Sequence, residues 1–122
     1  QRSGSVVGGT ATRESILEDV KGLIAEHSIV LFLKGTADQP MCGFSSATVD
    51  VLRKLGKSFA DKNVLSTPEY RYVLSEHSGW PTIPQVFIGG QFVGGCDIVH
   101  ELYRSGELQK LADAAVVGGR SG

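Results

Sequence analysis

The chain has 122 residues, 41% of them hydrophobic, and a formal net charge of −1. That size and composition fit one small globular domain. A charge so near zero gives no electrostatic case for nucleic acid or an anionic membrane surface, and no apolar run is long enough to span a bilayer.

The first residue is Gln, and residues 1–12 contain Gly, Ser and Thr with Arg2 and no acid before Glu14. The stretch reads as a disordered leader, either the end of a transit peptide or a cloning remnant. Ile16, Leu17, Val20, Leu23 and Ile24 recur at helical spacing and predict an amphipathic helix over 13–26, with Thr12 as its N-cap. The apolar run 29–33 predicts a buried strand, followed by a loop over 34–41 with Gly35, Asp38 and Pro40 as turn residues. The run 46–55 predicts a second helix, with Val49, Leu52 and Leu55 on one face and its end near Gly56. A second strand over 58–64 is predicted from a weaker pattern. Thr67 and Pro68 mark the start of a third helix reaching about His77, with Thr67 as cap. Residues 84–88 and 91–93 around Gly89-Gly90 predict a tight hairpin. Closing helices are predicted over 97–104 and 107–115, parted at Ser105-Gly106, and 116–122 reads as a flexible tail. Residues 13–115 therefore form the one domain. Strand–helix–strand suits a parallel crossover, and the hairpin adds antiparallel strands. The fold class is α/β, a four-stranded mixed sheet with helices on both faces.

Cys42 opens Cys42-Gly43-Phe44-Ser45, and Ser45 stands where a second thiol would complete a Cys-x-x-Cys pair. Cys42 lies where a strand delivers the chain to a helix N-terminus, and there the dipole and free N–H groups favour a thiolate. One activated thiolate can form a mixed disulfide or bind a soft metal, but it cannot close a local disulfide with Ser45. The remaining cysteine, Cys96, follows the hairpin; a buried structural residue is one reading, and a location near the site is the favoured one. Two cysteines are too few for a disulfide scaffold and read as functional thiols in a reducing compartment. His27, His77 and His100 have no metal-type spacing with one another or with the cysteines.

Further pieces stand in order beside Cys42-Gly43-Phe44-Ser45. They are Lys34-Gly35-Thr36, Gln39-Pro40, Trp80-Pro81-Thr82-Ile83-Pro84-Gln85 and Gly94-Gly95-Cys96-Asp97-Ile98. Together they make residues 13–115 closely resemble the monothiol glutaredoxins of the Cys-Gly-Phe-Ser type, which have the thioredoxin-like fold. The resemblance implies binding of glutathione and, in a homodimer, of a bridging 2Fe–2S cluster held by Cys42 of each chain and the thiols of two glutathiones. It also implies cluster transfer to iron–sulfur recipient proteins, with weak disulfide-reductase activity.

The resemblance assigns site roles residue by residue. Cys42 is nucleophile and metal ligand, and Gly43 leaves room for a ligand. Phe44 is open to two readings, core filling or a shield at the cluster's edge. Glutathione carries two carboxylates and one amine, so its pocket needs matching charges. Lys34 can reach the glycine carboxylate, and its place at a strand's C-terminal end supports it independently. Arg71 is a second cation on the resemblance alone. Thr82-Ile83-Pro84 is a candidate cis turn whose Ile83 backbone would pair with the cysteinyl part of glutathione. Trp80 is expected beside the pocket. Gly95, Cys96 and Asp97 would offer backbone N–H groups to the γ-glutamyl carboxylate, with Asp97 also as helix N-cap and acceptor for the α-amino group.

Two functions from different classes follow. The first is a cluster carrier, dimeric when loaded. The alternative is a glutathione-dependent oxidoreductase that removes glutathione from proteins through Cys42, resolved by external thiol or, less expected, by Cys96. The resemblance leans towards the mitochondrion, with plastid and cytosol left open.

Overall fold

Five consecutive apolar residues, Ile29–Leu33, form β1, and all five are buried. A strand covered on both faces needs no polar alternation. Its successive side chains point to opposite faces and sort into two cores. Ile29, Leu31 and Leu33 join one cluster with Val49, Leu52, Val86, Val99 and Leu108. Val30 and Phe32 join the other with Ile16, Val20, Tyr70, Val73 and Phe87.

The computed structural model describes residues 12–65 and 67–117. In chain order these form α1 (Arg13–Glu26), β1, α2 (Gly43–Lys54), β2 (Ala60–Asn63), α3 (Glu69–Ser78), β3 (Gln85–Ile88), β4 (Gln91–Gly94), α4 (Cys96–Ser105) and α5 (Glu107–Val117). The sheet is four-stranded, in the order β2-β1-β3-β4. β1 pairs parallel with β2 and antiparallel with β3, and β3 pairs antiparallel with β4. The helices α1 and α3 supply one core, and α2, α4 and α5 the other. The expected mixed sheet with helices on both faces is thus the observed architecture. Among the described residues no helix is long and apolar enough to cross a membrane.

Thr12 caps α1 as expected, with its side chain accepting from the Ser15 N–H at 3.0 Å. The other expected caps differ. The Thr67 side chain does not cap α3: Pro68 holds the N-cap with φ −57°, and the Tyr70 N–H donates to the Thr67 carbonyl at 3.0 Å. The proline ring already fixes a helical φ, so the backbone closes that first turn. Asp97 does not cap α4 either, because the helix starts on Cys96 and its N-cap is Gly95, two residues before Asp97. β2 is shorter than the predicted 58–64, and α5 runs on to Val117. Of the expected leader and tail, residues 1–11 and 118–122 lie outside the described residues.

Candidate functional site

The loop 34–41 delivers the chain from β1 to Cys42, and it is tied at both ends. The Met41 N–H donates to the Lys34 carbonyl at 2.8 Å, and the Thr36 N–H to the Gln39 carbonyl at 3.1 Å. Gly35 makes this closure possible. Its φ is +96°, and a Cβ there would lie 2.5 Å from the Gln39 oxygen and 2.7 Å from the Met41 nitrogen. No side chain fits such a space. β2 pins the loop from below: the Gly35 N–H donates to Asn63 Oδ1 at 3.0 Å and the Ala37 N–H to Asp61 Oδ2 at 2.8 Å.

Cys42 is the N-cap of α2, in extended conformation and half-buried. Its sulfur accepts from the Ser45 N–H at 3.4 Å and lies 3.3 Å from Ser45 Oγ. The same Oγ, fully buried, accepts the Lys34 N–H at 3.1 Å. With one lone pair taken by Lys34, the Ser45 hydroxyl can turn its proton towards an ionised sulfur. Partial burial acts to raise the Cys42 thiol pKa. Hydrogen bonds from the Ser45 side chain and from the Ser45 and Phe44 backbones, with the Lys34 charge, outweigh it, and the pKa lies below the ordinary thiol value. The helix N-terminus acts in the same direction. Ser45 is therefore more than a missing thiol. The clue in the sequence was its spacing, because a residue three places after an N-cap is the one that bonds back to it.

Beside this sulfur lies an open cavity of about 400 Å³. That falls within the range of about 300–1,000 Å³ usual for small-molecule sites. Lys34 and Phe44 line one side, and Arg71 of α3 contributes a second cation. Trp80, Thr82, Ile83 and Pro84 form the wall between α3 and β3, and Gly95, Cys96 and Asp97 form the opening of α4. The Ile83–Pro84 peptide is cis, as expected. Nine of the residues predicted for the pocket come together here, and Trp80 joins them as lining. Cys42 and Gly43 are not lining residues. They connect to the cavity through Phe44 on the same helix turn and through Lys34.

The structure decides between the readings left open at Phe44 and Cys96 and removes the expected cap at Asp97. Phe44 is 66% exposed, so it fills no core. Cys96 is half-buried at the cavity, with its sulfur 3.6 Å from His100 Nδ1, which agrees with the favoured location near the site. Asp97 is exposed in the first turn of α4, free of a capping role. Close packing joins the two walls. A Cβ on Gly95 would lie 2.9 Å from Trp80 Nε1 and 3.2 Å from the Pro84 oxygen, so only glycine lets the start of α4 approach that far. Trp80 in turn meets the Phe92 ring at 6.0 Å, tilted by 41°, and Phe92 meets Phe87 of the core at 5.4 Å.

A cysteine capping the helix after β1, with a cis-proline immediately before β3, defines a thiol protein of the thioredoxin-like class. The glutaredoxin family model matches residues 29–93. "Probable monothiol glutaredoxin 2" of Rickettsia prowazekii is 47% identical over 106 residues, covering 87% of this chain and 99% of that protein. "Monothiol glutaredoxin-S14, chloroplastic" of Arabidopsis thaliana is 43% identical over 107 residues, 88% of this chain and 62% of that protein. Among solved structures, the buckwheat glutaredoxin–glutathione complex superposes with a TM-score of 0.76 at 26% identity, covering 90% of this chain and 96% of that one. The chain belongs to the glutaredoxin family, in its monothiol branch.

Proposed function

We propose that the cavity binds glutathione and that Cys42 is the metal-ligating sulfur of an iron–sulfur cluster carrier. The observation that carries this reading is a half-exposed, thiolate-favouring Cys42 beside an open cavity bearing Lys34 and Arg71. The cations match the glycine carboxylate of glutathione. The first-turn N–H groups of α4 around Gly95 and Cys96 match its γ-glutamyl carboxylate, and Asp97 can accept from its α-amino group. The backbone of Thr82 and Ile83, turned at Pro84, flanks the cysteinyl part. Gly43 leaves the approach open, since a Cβ there meets nothing within 4 Å. The buckwheat complex, a related fold with glutathione bound, supports this assignment.

The donor set fits a cluster as cargo rather than as a resident group. Among the described residues no three His, Cys, Asp or Glu side chains converge to hold a metal ion. One chain therefore offers no complete metal site; with Cys42 as its ligand, a four-sulfur shell takes a second chain and two glutathiones. The exposed Phe44 ring stands where it can shield one edge. A shell half made of exchangeable small thiols yields to a recipient's cysteines, which suits delivery to iron–sulfur proteins. An organellar site of action, the mitochondrion first, goes with this reading; the chloroplastic Arabidopsis relative supports an organelle.

The lowered thiol pKa also favours a second reading, protein deglutathionylation. The Cys42 thiolate attacks the glutathione sulfur of a mixed disulfide and expels the protein thiolate. A second glutathione thiolate then attacks the Cys42 adduct, releasing oxidised glutathione and restoring Cys42. Anaerobic reconstitution with iron and sulfide separates the two. The carrier reading expects a coloured dimer only when glutathione is present. A colourless monomer with brisk turnover on a glutathione mixed disulfide would reverse the order.

A further inference from the structure

Gln85 opens β3, and its side chain is fully buried in a strand whose other residues, Val86, Phe87 and Ile88, are apolar. A buried amide is costly unless its hydrogen bonds are made. Here only the donor half is used. Nε2 donates to the Trp80 carbonyl at 3.0 Å and to the Thr82 carbonyl at 3.2 Å, while Oε1 is buried without a partner. Stability alone does not call for that arrangement, since an apolar side chain of equal volume would remove the unpaired acceptor. Both donors are instead aimed at one target, the segment between α3 and β3. That segment has no helix or strand of its own. It holds Trp80 and Thr82 against the cavity, and Trp80 also sets how closely the start of α4 can approach.

We propose that Gln85 is a positioning residue that clamps the Trp80–Thr82 wall of the cavity and thereby sets its affinity for glutathione. The affinity part rests on the cavity being the glutathione site; the clamping part does not. Without the amide, the two carbonyls turn to water, the wall moves outward, and the Trp80 indole leaves Gly95. The Cys42 environment, built from Ser45, Phe44 and Lys34, does not include Gln85.

The chain has one tryptophan, so Trp80 reports its own wall by fluorescence. Gln85→Met keeps the volume and removes both donors together with the unpaired acceptor. Its unfolding midpoint in urea should stay near that of wild type. Acrylamide quenching of Trp80 in the glutathione-free protein should rise about twofold or more, and the glutathione dissociation constant roughly tenfold, as for a wall that keeps its binding position about one-tenth of the time. Cys42 alkylation should stay within about twofold of wild type, because the clamp and the thiol are separate. Unchanged quenching would overturn the clamp, and so would alkylation that accelerates as much as quenching does. Raised quenching with unchanged glutathione affinity would overturn the affinity role alone. Raised quenching in a protein whose wild type binds no glutathione would sustain the clamp and remove the glutathione reading. Wild type gives a check that needs no variant. The Gln85 side-chain amide protons should exchange with solvent far more slowly than those of exposed Gln91. Equal rates would overturn the clamp.

Discussion

At Cys42, burial resists ionisation and three hydrogen bonds with one cation favour it; the outcome is a lowered thiol pKa. Ser45→Ala removes the largest favourable contribution. The midpoint of thiolate ultraviolet absorbance against pH should move up, and alkylation at neutral pH should slow; an unmoved midpoint would deny Ser45 its role. The same change strips the Lys34 N–H of its acceptor, at a cost of about 1–3 kcal/mol in urea unfolding. The lowered pKa also links ionisation to stability. Its contribution is absent below the folded pKa, grows as pH rises through the window up to the unfolded value, and is complete above that. The stability of wild type relative to Cys42→Ser should therefore rise with pH through that window. A difference flat in pH would mean the thiolate is not favoured by the fold. At this scale the sequence disclosed the sulfur and its place at a helix start. It did not disclose that Ser45 joins Lys34 to that sulfur, because the bond from Lys34 spans eleven residues of chain.

The element that delivers Cys42 is the loop 34–41, held by β2 side chains and by Gly35. Gly35→Ala puts a Cβ into the Gln39 and Met41 backbones at a φ that only glycine adopts easily. A loss of about 2 kcal/mol or more in unfolding free energy should result, with slower Cys42 alkylation in the protein that remains folded. A neutral outcome would mean the loop can rearrange without moving Cys42. β1 and the hairpin were legible because continuous apolar runs and Gly89-Gly90 leave few alternatives. The caps of α3 and α4 were not. Thr67 and Asp97 are both good capping types, and the choice fell instead to the ring of Pro68 and to the space that Gly95 leaves for Trp80. Residues Asp61 and Asn63 look like ordinary solvent-facing side chains in sequence, yet in β2 they accept from the Ala37 and Gly35 N–H groups and hold the loop.

Across the whole molecule, two cores meet at β1, so damage there should propagate to both faces. Leu31→Ala, at a fully buried central position, should cost about 2–5 kcal/mol, whereas Leu111→Ala, 42% exposed, should cost under about 0.5 kcal/mol. Similar costs in urea would contradict the placing of Leu31 in the core. At this scale the sequence was most informative, because motifs far apart in the chain had to meet around one cavity, and Lys34, Arg71, Thr82 and Asp97 do. Gln85 escaped notice because nothing local distinguishes a buried clamp from an ordinary strand residue. The central claim is that each chain lends one thiolate and one bound glutathione to a shared cluster. Its most direct test is the glutathione-to-protein ratio of the coloured species after anaerobic reconstitution and gel filtration. The account predicts one glutathione per chain in a dimer that falls apart when glutathione is withdrawn; a cluster retained with no glutathione bound would contradict it.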